Sequence, residues 1–478
     1  MDAETISGRG RFWLADEGDS MKSESATHGT LTIDGQGTIT LHPDLVDWKW
    51  GGATDTINSI VTRRFDIVGH LMDRNQYVRI ESAFVRRPQI AHNGWYAEDI
   101  GASACLLSDA IVPGPGSQAC ITNLRIPLGP LLAWLQRDMP KTEKTATCYE
   151  VRYPISPRQE FSLKSGQLAI ESDISAIHDF GQRALTLAHL GWIEFKPGSH
   201  MSIEMARKLH SDVEDLLILL TDQEFSLDWP RIQISHLDTT GTLYYTRRCP
   251  PTVSFSAFDC WVLFPQIASN FGTVVENWIE MRAKYGPAFH LYLGTRRGGN
   301  LWVEHRFVNL VWGLESLYLQ SRSPPPKPDL EAKIKRVLGS IGPELKSADL
   351  RWLKGLLKSS LKPTLAERIC EIFARLPTEI SGESLQKFAK TCAQRRNDIS
   401  HLGGPRGDEG YDEFVLELYR LSGALDPLYH AAILQQIGIP DAVIRHVFFE
   451  GIKSAQIRGR FQHAGLCMVK PLSCHAGD

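Results

Sequence analysis

No stretch of this sequence stays apolar for the roughly 20 residues a membrane helix needs; the longest runs, such as LLILL at 216–220, stop far short. No CxxC pair occurs among its nine cysteines, which are odd in number and scattered from Cys105 to Cys474. That usage points to reduced thiols in a cytoplasm rather than to a disulfide framework. GxGxxG, GxxxxGKS/T and GxSxG are all missing, which argues against common nucleotide-binding and serine-hydrolase chemistry. A formal net charge of -3 excludes a general polycation, so any nucleic acid has to be held by a local basic surface. The opening residues, MDAETISGRGRFWLADEGDS, contain no apolar core of a signal peptide, and a cytoplasmic protein without a membrane partner is expected.

What is present is an ordinary globular composition, 42% hydrophobic and 22% charged, in a chain of 478 residues that is too long for one core. Residues 1–150 read as a β-rich domain. HGTLTIDGQGTITL alternates apolar and polar residues around Gly35 and Gly37 as a hairpin does, and YVRIESAFV, ASACLLSDAIV and ACITNLRIPL follow, with PGPGS at 113–117 as a turn. Residues 151–297 read as a second, α+β domain: strands such as FSLKSGQLAIES, LGWIEFKPG, RIQISHL and TLYYTRR surround a helix, SIEMARKLHSDVEDLLILL, which Ser202 can cap. From 298 to 450 strand signals stop, and six or so amphipathic helices separated by breakers, among them the connector SPPPKP, predict a bundle. Residues 451–478 read as a poorly structured tail. The fold class is therefore multidomain α+β, a β-rich N-terminal region followed by an all-α helical bundle.

Arginine, four residues, then histidine occurs four times: Arg87 with His92, Arg231 with His236, Arg396 with His401, and Arg458 with His463. Spacing does not choose among them. Only Arg396 and His401 end a long amphipathic helix inside the all-helical region, where Gly403, Gly404 and Pro405 enforce a stop. Residues five apart on a helix differ by about 140°, so Arg396 has to reach around or the last turn has to unwind. Asn397, four residues before His401, shares its face and can hold the imidazole. An arginine and a histidine at a helix end are also common as simple partners of its free carbonyls.

In this setting the chain resembles the HEPN superfamily, whose signature is an Arg followed by a polar residue, often Asn, and a His after four to six intervening positions; RNDISH fits it. The resemblance extends to FWLADEG with HGTLTIDGQGTITL, to FDCWVLFPQ through ENWIEMR, and to EHRFVNLVWGLESLYL, and these segments look like the anti-phage HEPN family called ApeA. The resemblance implies a HEPN bundle behind a β-rich region, a nuclease site formed where two bundles dimerise, and tRNA cleavage in the anticodon loop as an abortive-infection response. It also implies that Glu315, where the family often carries a Glu, supports the site, although an ion-pair role fits it equally. A phage-encoded activator and a homodimer or higher homo-oligomer are the further partners expected.

The residue types suit metal-independent RNA cleavage. A base must take the 2′-hydroxyl proton, an acid must protonate the leaving 5′-oxygen, and positive charge must meet the phosphorane. A histidine's ordinary pKa of about 6.5 fits the proton transfers, and an arginine grips two phosphate oxygens at once. The expected ends are a 2′,3′-cyclic phosphate and a 5′-hydroxyl, with no cofactor. Residues 327–406 carry 16 Lys and Arg against 9 Asp and Glu, and Lys387, Lys390, Arg395 and Arg406 flank the motif as candidate phosphate ligands. Each of these also fits a merely solvated helix face.

Two other clusters read as structural. His463, Cys467, Cys474 and His475 lack the paired spacing of a zinc site, so no metal is expected. Trp13, Trp48, Trp50 and Trp95 could stack a ligand, but in β domains such rings are more often core. The competing function is a non-catalytic module that binds a nucleotide or a partner; an intact Arg and His pair argues against it.

Overall fold

A computed structural model of the chain describes residues 5–15, 26–44, 61–91, 94–110, 120–136, 141–154, 156–179, 184–234, 239–250, 255–297, 301–321 and 327–468. Two compact units divide the chain, residues 1–276 and 277–478. The expected turn at 113–117, most of the SPPPKP connector, His92, His236, Trp48, Trp50, Cys474, His475 and the side chain of Trp95 lie outside the described residues.

The first unit is the β-rich region. Ile6–Leu14, Thr27–Ile33, Ile39–Pro43, Phe65–Leu71, Gln76–Val85 and Ile100–Ala102 pair antiparallel in a closed ring, because Gln76–Val85 meets both Phe65–Leu71 and Ile100–Ala102. Alternation turns one side of each strand inward, and Phe12, Leu31, Ile39, Ile67, Val78 and Ile80 fill the barrel. The hairpin expected around Gly35 and Gly37 is there: Asp34 Oδ1 accepts from the Gln36 and Thr38 backbone amides, at 2.9 and 2.8 Å, and fixes its turn. Trp13 is buried, as a core ring should be.

From the barrel the same sheet continues outward. Ala104–Ser108 joins Gln76–Val85 to Thr239–Tyr245, and Arg231–Ile234, Ile121–Pro127, Ala184–Pro197, Gly166–Asp179 and Gln159–Leu163 follow in that order. The pairing therefore runs through residue 150, where the sequence suggested a boundary. The first long helix, α1 (Ile203–Thr221), packs against Ile121–Pro127 and buries Val213, Leu216, Leu217 and Leu220. Ser202 caps it as expected, accepting from Met205 N at 3.2 Å. LGPLLAWLQ is a 3-10 helix, Gly129–Leu135, and FSLKSGQLAIES folds as a tight hairpin rather than one strand, with Leu163 opposite Gly166.

Helices α2 (Phe264–Ile267) and α3 (Phe271–Gly294) follow, and the division between the units falls inside α3. Proline 287 removes a backbone donor within α3, and the helix breaks at Tyr285. The second unit then contains α4 (Val303–Ser321), α5 (Pro328–Ile341), α6 (Ser347–Ser360), α7 (Leu365–Phe373), α8 (Gly382–Leu402), α9 (Tyr411–Gln436), α10 (Asp441–Phe449) and α11 (Ser454–His463). The half of α9 from Leu421 to Leu434 is buried on all sides, which identifies it as the central helix of the bundle. Each of its fully buried leucines contributes about 1.5–3 kcal/mol. Its one carboxylate there, Asp426, is 2% exposed and is matched by Arg296 at 3.1 Å and Arg306 at 3.2 Å.

One expectation needs correction. Residues 454–463 are helix, not loose tail: Ile457 and Phe461, four apart, are buried, and Phe461 stacks on Phe448 at 6.0 Å. Within residues 327–406 most of the basic excess falls in 327–362, which hold nine Lys and Arg against four Asp and Glu and include α5 and α6. No described helix is long and apolar enough to cross a membrane. The eight described cysteines are free thiols.

Candidate functional site

Helix α8 runs without a break through His401 and ends at Leu402; Gly403 takes a left-handed φ of 72° and gives its N–H to Ile399 O at 3.1 Å. A side chain at Gly403 would be strained in that conformation, so glycine sets the stop. The last turn does not unwind, and Arg396 and His401 keep their separation of about 140° around the axis and about 7.5 Å along it.

Arg396 faces the bundle and His401 faces away from it. Arg396 is about a quarter exposed; Nη2 donates to Glu315 Oε2 of α4 at 3.1 Å and Nη1 donates to Asn397 Oδ1 at 3.2 Å. Its Nε is buried and finds no acceptor among the described residues. The other oxygen of Glu315 accepts from Arg368 Nη1 of α7 at 2.7 Å, and Arg368 Nε donates to Pro363 O at 3.0 Å. One carboxylate thus holds two guanidinium groups, leaving the cluster a net positive charge. Arg368 was not visible as a site residue in the sequence, because nothing in the linear order places α7 against α4.

His401 is exposed and has no hydrogen-bond or ion-pair partner among the described residues. Asn397, expected to hold the imidazole, is bonded to Arg396 instead. Lys387, Lys390 and Gln394 are exposed and fall with His401 within a stripe about 60° wide, at ~100° per residue. The two lysines therefore stand on the histidine's face of α8.

The other two candidate phosphate ligands are engaged elsewhere. Arg395, 13% exposed at the side chain, donates to both Glu409 oxygens, to Glu417 and to Asp398. Hydrogen bonds donated to Glu409 come first among the causes that push its pKa far above the ordinary arginine value. Arg406 pairs with Asp398, whose side chain is fully buried. Both arginines pair with carboxylates that the end of α8 and the start of α9 bring together.

Of the decoys, Arg458 gives Nη1 to Phe449 O at 3.2 Å at the end of α10 and so completes a helix terminus. Among the described residues no group of three His, Cys, Asp or Glu side chains is spaced to hold a metal ion.

No curated protein and no solved structure matches the chain. Residues 308–443, from the first turns of α4 into α10, match the family model described as Apea-like HEPN. The match covers the segment that brings Glu315, Arg396 and His401 into one bundle, and the helical unit therefore carries an Apea-like HEPN domain.

Proposed function

We propose that this protein is an endoribonuclease of anti-phage defence that cleaves RNA, in particular tRNA at the anticodon loop, without a metal ion, at a site built by two copies of the helical unit. One observation carries the reading: within an Apea-like HEPN domain, Arg396 is anchored by Glu315 while the His401 side chain, at the other side of the same helix end, is exposed and has no partner among the described residues.

The two groups divide the chemistry. An exposed imidazole takes the proton of the 2′-hydroxyl or supplies one to the leaving 5′-oxygen, and a second copy provides the histidine for the other transfer. The new bond joins the 2′-oxygen to phosphorus and the broken bond is P–O5′, so the products carry a 2′,3′-cyclic phosphate and a 5′-hydroxyl. Arg396 supplies fixed charge to the phosphorane. Lys387 and Lys390, on the histidine's face, hold flanking phosphates. A phage component releases the activity in the cytoplasm, and the β-rich unit serves its detection.

Bacteria expressing the wild type, Arg396→Ala or His401→Ala and challenged with phage test this reading. Protection by the wild type alone is expected; equal protection by all three contradicts it. A site made of two copies further requires that activity per mole of chain falls on dilution.

One observation favours a second reading. Arg396 lies in an ion pair with Glu315, as a purely structural arginine would, and the domain would then be a non-catalytic module that binds a nucleotide or a partner. In that case purified protein leaves tRNA intact under every condition that restores protection.

A further inference from the structure

The outer half of the sheet carries a feature that the nuclease reading leaves unused. Successive side chains on a strand point to opposite faces. Tyr245 meets His210 of α1 at 2.6 Å, so Tyr244 belongs to the face turned away from α1. Across the strands Glu194 stands opposite Arg125, Arg125 opposite Arg231, and Arg231 opposite Thr242. Trp192, two residues before Glu194, and Tyr244, two after Thr242, share that face.

A cavity of about 580 Å3 opens there, with Trp192, Trp229, Tyr244, His189, Asp228 and Arg231 in its walls. A second, of about 320 Å3, is also lined by Arg231, together with Arg125, Asn123 and Gln233. The larger volume lies in the range of pockets that enclose small ligands. Gly191 belongs to the same wall: a Cβ there would come within 2.5 Å of the end of the Leu132 side chain, which would have to turn aside.

The charges in the two cavities differ in kind. Arg125 serves Glu194 at 3.2 Å and Glu171 at 3.8 Å. Burial alone would raise the Glu194 carboxyl, but hydrogen bonds from Asn123, Arg158 and Arg125 outweigh it and hold it below the usual range. Arg231 is exposed and has no hydrogen-bond or ion-pair partner among the described residues. Trp229 is held in place, with the Arg247 guanidinium 3.9 Å from its ring centroid and Tyr244 at 5.2 Å. The site thus offers a wall of rigid aromatic rings, one uncommitted guanidinium and the exposed carboxylate of Asp228.

We propose that this cavity binds a nucleotide unit, with the base against the aromatic wall, the phosphate on Arg231, and Asp228 accepting from amino or hydroxyl groups. A base supplies a π-face for the rings and a phosphate supplies the anion. An apolar side chain would leave Arg231 and Asp228 without partners, and a bare anion would not use the rings. A free nucleotide and a base in single-stranded RNA present the same chemistry. The site lies in the β-rich unit, so it does not depend on the nuclease reading.

Equilibrium dialysis of the full chain, carrying His401→Ala so that no probe is cut, tests the proposal with AMP, GMP, CMP, UMP and single-stranded RNA tetranucleotides. At least one probe is expected to bind saturably, and Arg231→Ala and Trp192→Ala each weaken it at least ~10-fold while melting like the parent. Tighter binding of a tetranucleotide than of every mononucleotide identifies an RNA strand as the ligand; equal or tighter binding of a mononucleotide identifies a free nucleotide. Absence of saturable binding by all probes up to ~1 mM, or unchanged affinity in Arg231→Ala, overturns the proposal.

Discussion

Glu315 Oε2 on α4 accepts from Arg396 Nη2 on α8 at 3.1 Å, across a sequence separation of 81 residues. The same carboxylate takes Arg368 at 2.7 Å, so it positions Arg396 without cancelling the charge of the pair. Glu315→Gln keeps the shape and removes the anchoring charge. We expect tRNA cleavage to fall at least ~10-fold, with a stability loss of about 1–2 kcal/mol because the groups are only partly buried. Initial rates and thermal melts on one preparation check this; full activity in Glu315→Gln would reduce the contact to a structural ion pair.

Around Asp398, by contrast, the charges hold the fold together. This carboxylate is fully buried and is matched by Arg395 at 3.5 Å and by Arg406. Removing a partner of a buried charge is costly, so Arg395→Ala, which leaves buried Asp398 with Arg406 alone and takes the guanidinium from Glu409 and Glu417, is expected to destabilise the helical unit by about 3 kcal/mol, and Asp398→Ala to lower its melting temperature as well. Lys387→Ala and Lys390→Ala should leave the melt unchanged, weaken RNA binding, and flatten its salt dependence by about one unit of slope each. Salt-dependent binding measured beside thermal melts separates the two classes. The opposite pattern, with Arg395 acting on RNA alone, would contradict this assignment.

Much of this arrangement is legible in the sequence. The 3.6-residue periodicity marked the bundle helices, and the glycines after Leu402 marked the end of α8, because both signals are local. The barrel hairpin was legible for the same reason, since Asp34 and Gly37 form its turn within a few residues. What the sequence could not supply was long-range pairing: that one sheet runs through residue 150, that Arg368 shares Glu315, and that Arg395 meets Glu409 and Glu417. The aromatic cavity was missed because Trp192, Trp229 and Tyr244 come from three separate segments that only the strand register aligns.

Acid should weaken the β-rich unit through His210. Burial chiefly, with the Arg247 charge, drives the pKa of this imidazole down to about 3, against a hydrogen bond with the Asp228 carbonyl. That carbonyl only accepts, so Nε2–H donates to it at 3.0 Å and Nδ1 accepts from Tyr245 Oη at 2.6 Å. The unfolded chain takes up a proton near pH 6.5 and the folded one does not until pH 3. Stability is therefore complete above pH 6.5 and is lost as pH falls toward 3, by about 1.4 kcal/mol per pH unit from this group. Denaturant unfolding of wild type and His210→Gln between pH 7 and 4 checks this: the variant is less stable at pH 7 and shows the shallower pH slope. Parallel slopes would remove His210 as the cause.

Incubation of the purified chain with tRNA in EDTA, with and without an extract of phage-infected cells, followed by mapping of the fragment ends, tests the nuclease reading most directly. We predict fragments with a 2′,3′-cyclic phosphate and a 5′-hydroxyl from the wild type, at least ~100-fold less from His401→Ala, which should melt like the wild type because the side chain is exposed, and no rescue by Arg396→Lys. Fragments with 3′-hydroxyl ends, or equal cleavage by His401→Ala, would contradict the account.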